Sequence, residues 1–264
     1  MTSNSPAPVR FAIVTCTWNS IRFLRQAVES VQSQDYRNYE HVFVDGGSDD
    51  GTLELIMTVP GEVKVVKAVQ GGIARAMNVG IEAATGDIIM HLHSDDYLAH
   101  PRALTRVSKV FQETGCDWMY GRTLSDVGGG WTPEAPHFPR YSYARLLRGN
   151  IIPHPATFVR RKLFVKGGLF DERLRFAMDY DMWLRLGRLA EPVQVPEFLS
   201  VFRAHDASAT YANRMASFME DHVVRKRYLP SNPIVQLNHA LRYLKRRREL
   251  ERQLAEKVPG LRSS

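Results

Sequence analysis

The first hundred residues alternate short β-rich apolar runs with segments of helical periodicity. Alternation of this kind is typical of a parallel sheet with helices on both faces, so the sequence predicts an α/β fold. The predicted strands are "RFAIVTC" (10–16), "YEHVFVD" (39–45), "KVVKAV" (64–69) and "DIIMHLH" (87–93). The predicted helices follow Ser20, cover Leu53–Met57, and run from Ile73 to a terminating Gly86.

Polar side chains stand where three of these four strands end. Thr15 and Thr17 close the first strand, Asp45 closes the second, and Asp95 and Asp96 follow the fourth. Ligands of parallel α/β sheets bind beyond the carboxyl ends of the strands. We therefore expect these side chains to share one site.

The stretch "HLHSDD" admits two interpretations. His91, His93 and Asp95 have the H-x-H-x-D spacing of dinuclear zinc hydrolases, but Asp96 stands where that motif continues with histidine. His137, His154 and His205 follow in no arrangement that completes such a centre. Alternatively, "SDD" is a carboxylate pair that holds a divalent cation and a sugar nucleotide. The rest of the chain favours the carboxylates, and the zinc hydrolase remains the alternative.

The second half is less regular and carries fewer elements. It predicts short strands near Gly128–Trp131, a loop entering a strand in "IPHPATFVRRKLF" (152–164), and a last strand in "EFLSVFRAH" (197–205). A helix with an acidic first turn is predicted over Asp179–Ala190, and helices follow from Tyr211.

Charge and cysteine content restrict the class of protein. The net charge of +7 is concentrated between Arg242 and Arg252, where six basic residues face two acidic ones, which argues against a general nucleic-acid binder. The amino terminus has no apolar signal-peptide core, and no run approaches the ~18 apolar residues of a membrane span. Cys16 and Cys116 are expected to be buried thiols, which predicts a cytoplasmic protein.

Seven motifs in order resemble those of family 2 glycosyltransferases, which are inverting enzymes of the GT-A fold, and most closely those of members that build bacterial surface polysaccharides. They are "AIVTCTWNS", "VDGGSDDGT", "GGIARAMNVGIEAATGDII", "HSDD", "HPATFVRRKLF", "GGLFDERLRFAMDYDMWLRL" and "FRAHDASAT". The resemblance implies a disordered tail over 1–8, a GT-A domain over 9–210 and a basic helical extension over 211–264. Within the domain, 9–100 would bind the nucleotide sugar and 101–210 the acceptor.

For the donor side, the resemblance implies roles for residues that lie in these motifs. Asp96 is expected to coordinate Mg²⁺ or Mn²⁺, and Asp95 to contact the ribose. Asp45 is expected to read the base and ribose, usually of a uridine nucleotide. Thr15 and Thr17 would border that pocket, Asn19 would shape the loop, and Arg75 would face the diphosphate.

For the transfer step, the resemblance assigns the general base to Asp179, in "MDYDMWLR". Met178 replaces an acidic neighbour that is common in relatives, and this loss removes a like charge that raises the pKa of a base. Asp181 and Trp183 follow on the same helix and are further candidates for contact with the acceptor or the donor sugar. His154 is a candidate for sugar contact. His205 is a candidate further ligand of the metal.

The sequence thus predicts a metal-dependent glycosyltransferase that moves a sugar from an NDP-sugar, with UDP favoured, to a glycan or lipid-linked hydroxyl. A non-catalytic sugar-nucleotide-binding module is the alternative from another class. Sugar-nucleotide pyrophosphorylases are disfavoured, because "TCTWNS" has no Gly/Arg-rich phosphate loop. The basic segment after residue 237 has three interpretations: a solvated helix, a dimer interface, or a helix on anionic lipid at the inner face of the plasma membrane.

Overall fold

The structure is a computed structural model that describes residues 8–204 and 213–256. The strands are β1 (Phe11–Thr17), β2 (Tyr39–Asp45), β3 (Val63–Val66), β4 (Ile88–His91), β5 (Tyr97–Leu98), β6 (Trp118–Asp126), β7 (Trp131–Pro133), β8 (Thr157–Arg160) and β9 (Val193–Arg203). The helices are α1 (Ile21–Gln32), α2 (Thr52–Met57), α3 (Ile73–Ala83), α4 (Ala103–Thr114), α5 (Tyr143–Leu146), α6 (Arg161–Gly167), α7 (Met178–Leu189), α8 (Arg214–Tyr228) and α9 (Pro233–Glu256), with a 3₁₀ turn at His154–Ala156.

One half of the sheet is parallel, as the alternation predicts. Strands β3, β2, β1 and β4 lie side by side in this order, with all three pairings parallel. The register aligns Thr17 with Asp45, so the polar ends of β1 and β2 meet at one edge. Strand β3 ends earlier than predicted, at Val66, because Ala68 adopts a positive φ of 58° that extended backbone does not tolerate.

The other half of the sheet is mixed. Strand β8 runs antiparallel to both β4 and β6, while β9 runs parallel to β6 and antiparallel to the short β5. The predicted GT-A-like α/β fold is confirmed, and it holds a mixed sheet because these later strands return against the parallel half. The pairing of β5 with β9 carries Arg203 to the segment that follows β4.

Two cores cover the two faces of the sheet, and β1 divides its side chains between them. Ala12 and Val14 pack in the core that includes α3 and α7. Phe11 and Ile13 pack in the core that includes α4. Successive residues of a strand point to opposite faces, so a strand buried on both sides must be apolar throughout, as "FAIV" is.

The connection between α3 and β4 is fixed by a buried carboxylate and a close backbone approach. Glu40 is fully buried and accepts hydrogen bonds from the Thr85 amide, the Thr85 hydroxyl and the Gly86 amide. Helix α3 ends at Ala83, so Gly86 is not its immediate terminator. A Cβ at Gly86 would lie 2.7 Å from the Ala12 amide nitrogen, which explains why glycine stands there.

The two last helices pack on the domain and on each other. Val224 of α8 is fully buried in the core that contains α7. His222 and His239 stack between α8 and α9, with ring centroids 4.8 Å apart. Within residues 8–204 and 213–256, no helix combines the length and the apolar character that crossing a bilayer requires. The predicted tail over 1–8 lies, except for Pro8, outside the described residues, and so does the predicted boundary at 210.

Candidate active site

A cleft of about 1200 Å³ opens at the carboxyl edge of the parallel strands. Its wall includes Thr17 from the end of β1, Asp95 and Asp96 from the segment after β4, and Asp179 from the start of α7. His154 of the 3₁₀ turn lines the same cleft. Residues separated by more than a hundred positions thus meet, because the strand ends and the α7 amino terminus face one space.

Asp45 lies just below the cleft and organises the turn that follows β2. Its fully buried carboxylate accepts hydrogen bonds from the Thr17 hydroxyl at 2.8 Å, from the Gly47 and Ser48 amides at 2.9 Å each, and from the Ser48 hydroxyl. Burial alone would raise its pKa, but these donors outweigh burial and hold the pKa of Asp45 below its ordinary value. Asp45 is therefore an ionised anchor of the donor-side turn.

The other donor-side residues divide between the loop and the sheet. Asn19, with a positive φ of 49°, accepts a hydrogen bond from the Asp49 amide at 3.0 Å and so ties the loop after β1 to the turn after β2. Thr15 is fully buried and its hydroxyl lies 2.9 Å from His41 Nε2, away from the cleft. Arg75 forms an ion pair with Glu172 at 3.7 Å.

Asp96 is almost completely buried at the centre of the acidic side of the cleft. Its carboxylate accepts a hydrogen bond from the Arg203 amide at 3.1 Å, and the Arg203 guanidinium donates to the Asp95 carbonyl oxygen at 3.1 Å. Burial, followed by the negative charges of Asp95 and Glu134, raises the pKa of Asp96 well above its ordinary value. The site therefore concentrates negative charge that a cation would neutralise.

The residues present fit a divalent cation that shares its coordination with a substrate. Mg²⁺ is usually held by one or two carboxylates, with water and phosphate oxygens completing the shell. Asp95 and Asp96 supply carboxylates at the cleft wall. The described residues contain no cluster of three or more histidine, cysteine or acidic side chains suited to a metal by themselves. His205, the other expected ligand, lies outside the described residues.

The histidines of "HLHSDD" are packed rather than arranged as ligands. His93 stacks on His154 with centroids 4.9 Å apart, and His91 contacts the edges of Phe164 and Phe170. Burial lowers the pKa of all three histidines, so the rings are neutral. In the part of the chain that is described, neither ring nitrogen of His154 has a hydrogen-bond partner, which leaves it able to bind a hydroxyl.

Asp179 lies half-buried at the amino terminus of α7. Its carboxylate accepts hydrogen bonds from Asn150 Nδ2 at 3.1 Å and from the Tyr180 amide at 2.6 Å. Burial and then the charge of Asp221 raise its pKa to about 7. A carboxylate with this pKa is suited to accept a proton near neutral pH. Asn150 and Asp221 carry no motif that sequence inspection could have used to find them.

Asp181 and Trp183 lie behind this wall rather than in it. Asp181 is buried and accepts hydrogen bonds from Arg185 Nε at 2.9 Å and from the Tyr228 hydroxyl at 2.7 Å. Trp183 is buried and stacks on Trp118 with centroids 5.8 Å apart. Neither side chain lines the cleft, so the structure gives both a packing role and places Trp183 off the expected acceptor side.

Several cleft residues were not anticipated from the sequence, because no motif assigned them a role. Polar side chains among them belong to Arg122 and Thr123 of β6, and to Glu134, Asn150 and Arg175. Arg122 is held by aromatic rings, with its guanidinium carbon 4.3 Å from the centroid of Phe198. The cleft therefore carries cationic groups as well as acids, as binding of a diphosphate between them requires.

Comparison with known proteins identifies the class. Residues 12–167 match the profile described as Glycosyl transferase family 2, so the chain belongs to that family and is a transferase enzyme. An uncharacterised glycosyltransferase of Mycobacterium tuberculosis is 31% identical over 188 residues, which cover 70% of this chain and 71% of that protein.

Solved structures agree on the fold. The structure of S. aureus TarS 1–349 in complex with UDP-GlcNAc matches with a TM-score of 0.68 and 20% identity, over 81% of this chain and 65% of that chain. The mannosyltransferase PcManGT from Pyrobaculum calidifontis, in complex with GDP-Man and Mn²⁺, matches with a TM-score of 0.64 and 18% identity, over 91% and 71%. At these identities the likeness establishes the GT-A-like fold alone.

The anchoring role of Asp45 can be tested through stability. We expect Asp45→Asn to lower the free energy of unfolding by about 1–2 kcal/mol at pH 7, because the donors around it lose a charged acceptor. Asp49→Asn, an exposed change in the same turn, should have little effect. The pKa of Asp45 is depressed by folding, so its contribution is present above the unfolded-state pKa and lost as pH falls through the folded one. Urea unfolding from pH 7 to pH 3 should show the gap closing in acid; an equal gap at both ends would contradict the assignment.

Proposed function

We propose that this protein is a metal-dependent inverting glycosyltransferase that moves one sugar from a UDP-sugar to a hydroxyl of a glycan or lipid-linked acceptor. The observation that carries the proposal is the single cleft that joins a carboxylate pair after β4 to a carboxylate of raised pKa at the start of α7. Two acidic sites with different tasks are what this chemistry requires: one to hold a cation with the diphosphate, the other to accept a proton.

On the donor side, the chain binds the nucleoside diphosphate across the strand ends. The Asp45 turn and the Asn19 loop form one border of this region, since the Asn19 amide donates to the Ser48 hydroxyl and the Asp49 amide donates to the Asn19 side chain. Asp96 would hold Mg²⁺ or Mn²⁺, which when bound acts as a Lewis acid that stabilises the charge gained by the leaving diphosphate, and Asp95 would contact the ribose. Arg122 lines the cleft and can bind phosphate oxygens.

On the acceptor side, Asp179 removes the proton of the attacking hydroxyl. Asn150 donates to one carboxylate oxygen and so fixes the orientation of the group. Attack on the face opposite the leaving diphosphate inverts the anomeric carbon, which requires the base and the diphosphate site to lie on different walls of the cleft. His154, whose ring nitrogens are unpaired in the described structure, can bind a sugar hydroxyl between those walls.

Two known structures support a nucleotide-sugar donor and a divalent metal. TarS is in complex with UDP-GlcNAc, and PcManGT is in complex with GDP-Man and Mn²⁺. We favour UDP because the motifs of this chain resemble those of uridine-nucleotide users. For the acceptor, the resemblance to enzymes of bacterial surface polysaccharides supports a glycan or lipid-linked hydroxyl. The two cysteines are free, which supports a cytoplasmic location.

Helix α9 supports contact with an anionic membrane surface. Leu237, Leu241 and Leu244 are 60%, 56% and 47% exposed, and they lie within one helical stripe because their spacing is four and three residues. Lys245 and Arg248 border this stripe. Exposed leucines beside cations are typical of a helix that lies on an anionic bilayer, where each basic residue contributes about 1 kcal/mol.

Asp179→Asn tests the general base. The amide keeps the shape of the side chain but cannot accept a proton, so kcat should fall by about 10²–10⁴-fold while UDP binding persists. In the wild type, kcat/KM should fall tenfold per unit as pH drops below about 7, because the protonated carboxyl is inactive. Turnover of UDP-sugars and isothermal titration with UDP give these values. If Asp179→Asn turns over as fast as the wild type, Asp179 is not the general base. If the wild-type protein binds nucleotide without turnover, the protein is a binding module.

Thermal denaturation with nucleoside diphosphates tests the donor base and the metal. We expect UDP with Mn²⁺ to raise Tm more than either does alone. At a ligand concentration a hundredfold above Kd, the gain in the free energy of unfolding should be about 3 kcal/mol. Asp96→Ala should lose the Mn²⁺-dependent part of the increase, whereas the exposed change Asp49→Ala should keep it. A larger increase with GDP than with UDP would contradict the uridine assignment, and an increase independent of Mn²⁺ would contradict metal dependence.

Vesicle sedimentation tests the membrane surface. Lys245→Gln with Arg248→Gln removes two cations beside the leucine stripe and should weaken partitioning onto vesicles with anionic lipid by about thirtyfold, the equivalent of ~2 kcal/mol. Lys109→Gln with Lys162→Gln, which removes two exposed cations elsewhere, is the matched control. Equal binding by both double variants would exclude the surface. Concentration-dependent association in place of vesicle binding would instead assign α9 to a dimer.

A further inference from the structure

A carboxylate of α8 caps the segment that leads into α7. The Glu220 side chain accepts hydrogen bonds from three consecutive backbone amides, those of Arg175 at 3.0 Å, Phe176 at 2.5 Å and Ala177 at 2.7 Å. Ala177 is the residue that precedes α7, and Arg175 and Phe176 line the cleft. An anion on free amides at a helix amino terminus stabilises that terminus, and here it comes from a helix more than forty residues away.

The next residue of α8 acts on Asp179 itself. Asp221 is half-buried, and its negative charge is the electrostatic neighbour that, after burial, raises the pKa of Asp179. The residue before Asp179 in the chain is Met178, which is buried in the core and carries no charge. The like charge beside the base is therefore supplied through space by α8 and not by its neighbour in the sequence.

Further contacts hold α8 in register with α7. The Tyr228 hydroxyl and the Arg227 guanidinium donate to Asp181 at 2.7 Å and 3.3 Å. The buried Arg225 donates to the Arg148 carbonyl oxygen at 2.9 Å, in the loop that also carries Asn150. Helix α8 thus contacts both the helix that begins at the base and the loop whose amide side chain orients it.

We propose that α8 is a positioning element for the transfer reaction, in which Glu220 fixes the cleft segment before Asp179 and the adjacent Asp221 brings a second carboxylate to the amino terminus of α7. This inference rests on the proposed function, because it needs Asp179 to accept a proton. It assigns the segment after the GT-A domain a part in catalysis, distinct from any contact of α9 with a membrane.

The groups that face Asp179 and Asp221 lie on α8, on α9 and in the loop after α5. Asp179 faces Asp221 of α8 and the neutral Asn150 of the loop after α5. Asp221 itself faces Arg225 and Glu220 on its own helix and Arg246 on α9. Burial raises the pKa of Asp221 to about 6, and the two arginines oppose a further rise, so Asp221 is largely ionised where Asp179, with a pKa of about 7, titrates.

Carboxyl-carbon NMR of protein labelled at aspartate tests the electrostatic part without substrate. Comparison with Asp179→Asn assigns the Asp179 resonance. In Asp221→Asn, which keeps the side-chain shape, the midpoint of the Asp179 titration should fall by about half a pH unit to one unit, and the acidic limb of kcat/KM should move down with it. Glu113→Gln, which removes one exposed carboxylate of α4, should leave the midpoint in place. An unchanged midpoint in Asp221→Asn would overturn the tuning role.

Kinetics of Glu220 variants test the positioning part. Glu220→Ala should lower kcat about tenfold and leave the Kd for UDP within about twofold, because the Glu220 carboxylate binds the segment before α7 and not the strand ends proposed to bind the donor. Glu220→Gln retains an acceptor oxygen and should recover part of the loss. If kcat is unchanged, or if kcat and UDP affinity fall together in both variants, Glu220 is merely structural. Should Glu220→Ala fail to fold, Glu220→Gln and Asp221→Asn carry the test.

The design separates the two proposals. If Asp179→Asn keeps wild-type turnover, the proposed base is wrong, whatever the titration of Asp179 shows. If Asp179→Asn is inactive while Asp221→Asn and Glu220→Gln match the wild type in titration midpoint and kcat, only the role of α8 is wrong.

Discussion

The chemical properties of the cleft depend on carboxylates that are partly or fully buried. A buried carboxylate is stable only when donors surround it, or when it is protonated or meets a cation. Asp45 has its donors and remains ionised, whereas Asp96 and Asp179 have fewer donors and more negative neighbours, so their pKa values rise. One residue type thus provides an ionised anchor and two carboxyl groups of raised pKa, because the environment of each carboxylate differs.

Helix α8 adds two further carboxylates to this electrostatic arrangement. Glu220 places its charge on the amides before α7, and Asp221 places its charge near the residue that opens that helix. The positions of both charges depend on the packing of α8 against α7, through the buried Val224 and the Tyr228–Asp181 hydrogen bond. A shift of α8 would therefore alter the geometry and the protonation of the cleft together.

Sequence reasoning was most successful where a residue's neighbours in the chain are also its neighbours in space. The parallel strands, the bounds of β2 and the placement of Asp179 at the start of α7 follow from local periodicity and capping chemistry. It left Trp183 only a candidate for the acceptor side, since the helical pattern does not reveal that this side chain is buried against Trp118. It could not find Asn150 and Glu134, which line the cleft, or Asp221, whose charge raises the pKa of Asp179, since each is placed by a loop or helix whose path no short-range pattern specifies.

The sequence by itself determined the fold class, the family and the set of acids available for chemistry, because alternation of apolar residues and motif order are encoded locally. Only the tertiary structure decided which acids share a cleft and which are enclosed. That outcome depends on how strand ends, the α7 terminus and α8 converge, and the pKa of a carboxyl group responds to burial and to charges within a few ångströms, whatever their distance along the chain. Asp179 and Asp221, far apart in sequence and coupled in the fold, are the clearest instance.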